Sequence, residues 1–228
     1  YVKSLFTDND GGLWIGLELT NCLQHLAEGR WRTFALPMVT QPVRTMAQDT
    51  KGNLWLGTGD GGLLRLAGEA LVNQAPHTLP VAPAVRCLWA TPDGSVWIGY
   101  ADAGVGRLKD GRFARIGVEH GLHDDFISNL VADDQGWLWF ASNRGIFKVR
   151  QEDLDNVAEG RAGQVHSIVY GRDEALPNLQ GSYGFGPGAV RSRDGRIWIP
   201  MLTGLAVVRP EHLPADRTPP PVVIERVV

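Results

Sequence analysis

VRTMAQDTKGNLWLGTGDGGLLRL, residues 43–66, is the stretch whose reading decides the fold. It opens with a short, apolar, partly β-branched run, Val43–Gln48, and then turns between Asp49 and Gly52. The chain resumes as LWLG (54–57), meets a glycine pair at 61–62, and restarts as LLRL. In such a turn the Asp carboxylate can accept backbone N–H groups, and glycine supplies the positive φ that a tight hairpin needs. Short β-type runs separated by turn residues read as successive antiparallel strands.

The same pattern recurs on both sides: DNDGGLWIG at 8–16, TPDGSVWIG at 91–99, DDQGWLWFA at 133–141 and SRDGRIWIP at 192–200. Its tryptophans, Trp14, Trp55, Trp97, Trp139 and Trp198, are spaced by 41, 42, 42 and 59 residues, each with a glycine three positions earlier. A period near 42 with one Trp per repeat has the length of a four-stranded propeller blade. The chain therefore reads as all-β, a β-propeller of about five four-stranded blades over residues 1–217, forming a partial or small ring. Val2–Thr7, Val43–Gln48, Val85–Ala90 and Ile127–Ala132 are the expected innermost strands, and RWRTF (30–34) and RFARI (112–116) the half-exposed outer ones. The long interval before Trp198 holds an insertion of about 17 residues, with a helix-like segment in 152–163 and a strand in 165–171. A Pro-rich connector at 218–221 and an apolar strand from Val222 end the chain.

A buried Trp covers roughly 150–250 Å², worth on the order of 4–6 kcal/mol of transfer free energy. Its placement between Leu, Ile and Val makes all five tryptophans inter-blade packing rather than a sugar-stacking row. With 43 % hydrophobic residues, 28 Gly and 14 Pro, the composition suits a turn-rich domain with a sizeable core. A net charge of −3 and the lack of any Lys/Arg run give no reason to expect a nucleic-acid partner. No apolar stretch approaches the roughly 18 residues of a membrane helix. Because the chain starts at Tyr1 and not at Met, it reads as a piece of a longer protein. Cys22 and Cys87 fall on strands two blades apart and read as free thiols. DNDGG at 8–12 lacks the later glutamate of a calcium loop and reads as turn capping. The six histidines show no metal-ligand spacing, so neither a metal nor a cofactor is expected.

On these residues, the pattern V-x-x-L-x-x-D-x-x-G-x-L-W-I-G-T-x-x-G-G-L-x-R-L, read at 43–66, resembles the two-component regulator propeller repeat. GIFKVRQEDLDNVAEG, VYGRDEALPN, RDGRIWIPMLTGLAVVRPEHL and PPPVVIE resemble the last blades of such sensors and the connector into a three-tyrosine, immunoglobulin-like domain. The resemblance implies the periplasmic part of a membrane-spanning bacterial receptor whose inner part is a histidine kinase or diguanylate cyclase. It further implies a non-enzymatic segment that takes a saccharide or another small polar ligand. The family usually has more blades than five, and this leaves ring closure open. Thr20–Asn21–Cys22 in the first blade and Pro200 in the fifth depart from its pattern.

In a propeller the loops at one end of the channel gather into a mouth, the default ligand position. The loops after the Trp strand supply Glu18, Asp60, Tyr100, Asp102, Asn143 and Arg144. The loops between blades supply His123, Asp124, Asp125, Asn178, Gln180 and Tyr183. Arg44 and Arg86 occupy matching inner-strand positions with Lys3 in the first blade; they either make the channel locally positive or pair with acids of neighbouring blades. Two further readings stand beside the sensor. One is a propeller lyase or hydrolase built on His123 with Asp124 and Asp125. The other is an interaction scaffold, or a homo-oligomer, joined through apolar sheet faces that an arc of five blades leaves open.

Overall fold

The glycine of the turn before each repeat tryptophan lies at φ between +80° and +84° (Gly11, Gly52, Gly94, Gly136 and Gly195), a region closed to most side chains, so each turn reverses the chain tightly. Those reversals, in a computed structural model describing residues 1–18, 21–37, 40–76, 83–171 and 178–213, fold the chain into a five-bladed β-propeller. Blade one is β1 (Val2–Thr7), β2 (Leu13–Leu17), β3 (Cys22–Ala27) and β4 (Arg30–Ala35). Blade two is β5 (Val43–Gln48), β6 (Leu54–Thr58), β7 (Leu63–Ala67) and β8 (Ala70–Asn73). Blade three is β9 (Val85–Ala90), β10 (Val96–Tyr100), β11 (Val105–Lys109) and β12 (Arg112–Ile116). Blade four is β13 (Ile127–Ala132), β14 (Trp137–Ser142), β15 (Ile146–Arg150) and β16 (Ile168–Tyr170), with helix α1 (Gln151–Ala158) inserted before its last strand. Blade five, among the described residues, has three strands: β17 (Val190–Arg191), β18 (Ile197–Met201) and β19 (Gly204–Val208). Every blade is an antiparallel sheet in chain order. The connector at 218–221 and the strand expected from Val222 lie outside the described residues.

The turn acid has a second task. Asp8, Asp49 and Asp133 also accept the indole N–H of Trp14, Trp55 and Trp139, at 2.9, 3.0 and 2.8 Å. Ser192 does the same for Trp198 at 2.9 Å. In blade three Thr91 stands in the acid's place, and the Trp97 indole nitrogen has no partner among the described residues. Opposite each of the first four tryptophans on the next strand stands a basic residue: His25, Arg65, Arg107 and Lys148. The cation over the ring adds an attraction that the apolar pattern does not show.

Each of the first four repeat tryptophans faces the following blade; Trp198, expected to do the same, is half-buried and joins no buried apolar cluster among the described residues. Trp14 is buried with Leu54 and Leu56, Trp55 with Val85 and Ile98, Trp97 with Ile127 and Phe140, and Trp139 with Ile197 and Ile199. Four seams thus have buried apolar clusters. Between blades five and one no such cluster exists among the described residues, and Leu205 and Val207 of blade five remain 56 % and 44 % exposed. Among the described residues the ring closes there at its inner edge: Gly186 N–H donates to Lys3 O and Leu5 N–H to Gly186 O, both at 2.9 Å. Helix α1 is tied to blade three through Leu154, wholly buried, and through Arg107. The Arg107 guanidinium is 4 % exposed and meets Glu159 at 3.0 Å, Asp155 at 3.3 Å and Asp93 at 3.4 Å.

Candidate ligand site at the axial mouth

One irregularity repeats in the inner strands. Pairing jumps from Val2 to Ser4 in β1, from Val43 to Thr45 in β5, from Val85 to Cys87 in β9 and from Ile127 to Asn129 in β13. The residues skipped are Lys3, Arg44, Arg86 and Ser128. A bulge leaves its extra residue outside the ladder and re-aims the side chain, and here it places three cations at one end of the channel.

Across that end runs a strap, residues 178–186. It is pinned to blade five by Leu202 N–H donating to Gln180 O (3.0 Å) and Ser182 N–H to Pro200 O (2.8 Å). Over blade four, the Asn129 side-chain amide donates to Ser182 O at 2.8 Å, and Gly181 lies against Ser128. It ends on blade one through Gly186, where a Cβ would come within 2.5 Å of Arg44 O, so the close approach requires glycine. The strap carries two exposed rings, Tyr183 (41 %) and Phe185 (63 %).

The cations gather along it. The Arg86 guanidinium lies 4.2 Å from the Tyr183 ring centroid and 5.5 Å from that of Phe126. Lys3 Nζ lies 4.6 Å over Phe185 and 2.9 Å from Glu18. Arg44 occupies the space beside Gly59 on one side and Gly184 on the other, where a Cβ would fall 2.6 and 3.6 Å from its guanidinium nitrogens. The Nε atoms of Arg44 and Arg86 are buried without a hydrogen-bond partner, and neither residue has an ion pair among the described residues. Burial, and next the positive charge of Arg44, hold Arg86 below its usual pKa, while Tyr183 and Asp102 pull the other way. Beneath the strap the channel narrows to a cavity of about 70 Å³ between Leu5, Met46, Cys87, Leu130 and Pro187. That is well below the roughly 300 Å³ at which ligand pockets begin. Arg86, one of the bulged cations, also lines this cavity.

The remaining residues singled out in the sequence divide. Glu18 neutralises Lys3. Asp60 is engaged by the hydroxyls of Thr40 and Thr58; burial works to raise its pKa, but these hydrogen bonds outweigh it and hold it low. Asp102 is exposed with φ +91°, and Asn143 and Arg144 are exposed on the neighbouring turn. Gln180 serves the strap through its backbone. Tyr100 is corrected from a mouth residue to a core residue. Alternation along β10 puts its ring on the buried face of Val96 and Ile98, 1 % exposed and against Phe113, and burial pushes its hydroxyl pKa up. His123 packs edge-on against Phe147 and contacts Arg144 O at 3.3 Å. Asp124 caps Phe126 N–H, and Asp125 takes Val118 N–H and Arg115. No ion pair or hydrogen bond joins His123 to either carboxylate among the described residues. Phe126 and Phe185 were not singled out in the sequence; the signal for Phe185 was the glycine-rich run GSYGFGPG at 181–188.

Residues 37–60 match the model of the two-component regulator propeller. No curated protein matches the chain. Among solved structures, virginiamycin B lyase from Staphylococcus aureus is similar at 14 % identity and TM-score 0.67, over 92 % of this chain and 67 % of that one. The extracellular domain of the one-component system BT4673 from B. thetaiotaomicron matches at 18 % identity and TM-score 0.66, over 92 % and 30 %. That of the hybrid two-component system BT3049 from B. thetaiotaomicron matches at 16 % identity and TM-score 0.62, over 92 % and 34 %. At these identities the likeness is one of fold. The chain spans about two thirds of the lyase and about a third of the sensor domains.

Proposed function

We propose that this chain is an extracytoplasmic, non-enzymatic sensor segment of a bacterial signalling receptor, and that it takes a small polar ligand, such as a saccharide, at the strapped mouth. The observation that carries the reading is the meeting of re-aimed cations with two exposed aromatic rings on one strap. The match at 37–60 and the extracellular sensor domains among the similar folds support the sensor context. The strap is hydrogen-bonded to blades four, five and one, so a ligand resting on it favours one arrangement of the closing seam over another. Differential affinity of that kind is what a relay to a kinase or cyclase requires. The separation of His123 from the carboxylates of Asp124 and Asp125 favours binding over lyase chemistry.

The test is a thermal-shift screen of the chain against a panel of neutral and charged saccharides, with hits mapped by amide NMR. Shifts concentrated in 181–186 and in the turns at 59–62 and 101–104 are expected. Hits that perturb only the outer strands β4, β8 and β12 would overturn the placement.

A further inference from the structure

We infer that Arg44 and Arg86 form a receptor for an oxyanion, so that the ligand taken at the mouth carries a carboxylate, sulfate or phosphate group. This rests on the mouth being the ligand site and adds the chemical class of what is bound. Two guanidinium groups re-aimed by equivalent bulges reach the same strap, one beside Gly184 and the other against Tyr183. Each keeps a buried Nε–H without an acceptor among the described residues. A buried donor left unmade is costly, and an acceptor that reaches it recovers that cost. The acids nearby do not supply it. Glu18 is spent on Lys3, Asp60 on two threonine hydroxyls, and Asp102 makes no ion pair with either arginine among the described residues. An oxyanion bridging both groups satisfies the donors and screens one positive charge from the other. Guanidinium is suited to it, since its planar fork offers parallel N–H donors to two oxygens at once. The exposed rings of Tyr183, against Arg86, and Phe185, against Lys3, suit a ligand whose acid is borne on a ring.

The experiment follows the Arg Nε–Hε resonances of the chain while sodium glucuronate, sodium sulfate and glucose are added in turn. Displacement of the Arg44 and Arg86 signals by glucuronate is expected, with affinity falling about 10- to 100-fold in Arg86→Gln. It should also weaken as salt rises from about 0.05 to about 0.5 M. A response to sulfate as strong as to glucuronate supports a free inorganic oxyanion; a stronger response to glucuronate supports an acid carried on a sugar. Arg86→Lys, which keeps the charge but loses the fork, should lie between wild type and Arg86→Gln. If Arg86→Gln melts early, the wild-type resonance shifts and Arg44→Gln carry the test. Glucose binding at the strap with both arginine signals unmoved would overturn the oxyanion and leave the mouth as a ligand site. Glucuronate binding that moves neither strap amides nor arginine signals would overturn both.

Discussion

Replacing Asp49 by alanine should cost far more than a surface turn residue normally does. Its carboxylate accepts the backbone N–H groups of Lys51 and Asn53 at 2.9 Å, the Asn53 amide at 2.8 Å and the Trp55 indole N–H at 3.0 Å. Water can reclaim the turn amides, so their loss is worth about 1 kcal/mol together. Trp55 is 6 % exposed, and its N–H has no other acceptor among the described residues; leaving it unmade costs about 2 kcal/mol. Asp49→Ala should therefore destabilise by about 3 kcal/mol, and Asp49→Asn by about half of that. Urea unfolding of wild type, Asp49→Ala, Trp55→Phe and the double variant isolates the indole contribution as a coupling of about 1.5–2 kcal/mol. The parallel cycle on Thr91 and Trp97 is the internal control. That indole has no partner among the described residues, so its coupling should be near zero. A coupling below about 0.5 kcal/mol at Asp49–Trp55, or an equal one at Thr91–Trp97, would refute the idea that the turn acid anchors the tryptophan.

Arg107→Leu should cost about 3–5 kcal/mol, because it strands the carboxylates of Asp155 and Glu159 beside a buried surface. Hydrogen exchange in α1 should rise more than in β5–β8. Acid should also weaken the fold. Burial works to raise the pKa values of Asp8, Asp49 and Asp93, but their hydrogen bonds outweigh it and hold all three below the ordinary carboxylate value. Their contribution is thus full above about pH 4 and is lost as pH falls through the lowered values. Asp155, raised by burial against the pull of Arg107, works in the opposite sense and regains stability on protonation. The melting midpoint should be flat from about pH 5 to 7 and fall below about pH 4. A midpoint that rises on acidification would refute the dominance of the turn acids.

The blades were legible because their signals are local. The turn glycine needs positive φ, and the Trp three residues later then has a fixed register, so the inner strands Val2–Thr7, Val43–Gln48, Val85–Ala90 and Ile127–Ala132 could be bounded from sequence. What the tryptophans hold on to was not legible. The basic residues His25, Arg65, Arg107 and Lys148 lie one strand away, and a one-residue change in pairing would have placed them on the other face. Tyr100 shows the limit most clearly. By spacing it belongs to a mouth loop, but β10 runs on through it, and alternation with Val96 and Ile98 takes it into the core.

A register shift in the inner strands explains why the site could be half read. Arg44 and Arg86 stand at the second residue of their strands, so strict alternation aims them with the residues two places on, Met46 and Leu88. The bulge breaks the alternation at that residue in four blades, and the composition of the strand carries no mark of it. Blade five has Pro187 at the matching place, without an N–H to offer a ladder, and preceded by the Gly186 that bonds to β1. The residue that cannot continue the sheet pattern thus sits where the chain leaves its own blade to close the ring. Closure and the cationic mouth are two consequences of one position in the repeat. A ligand that draws the Arg44 and Arg86 groups toward Tyr183 acts on the strap within three residues of the two hydrogen bonds that join the last blade to the first.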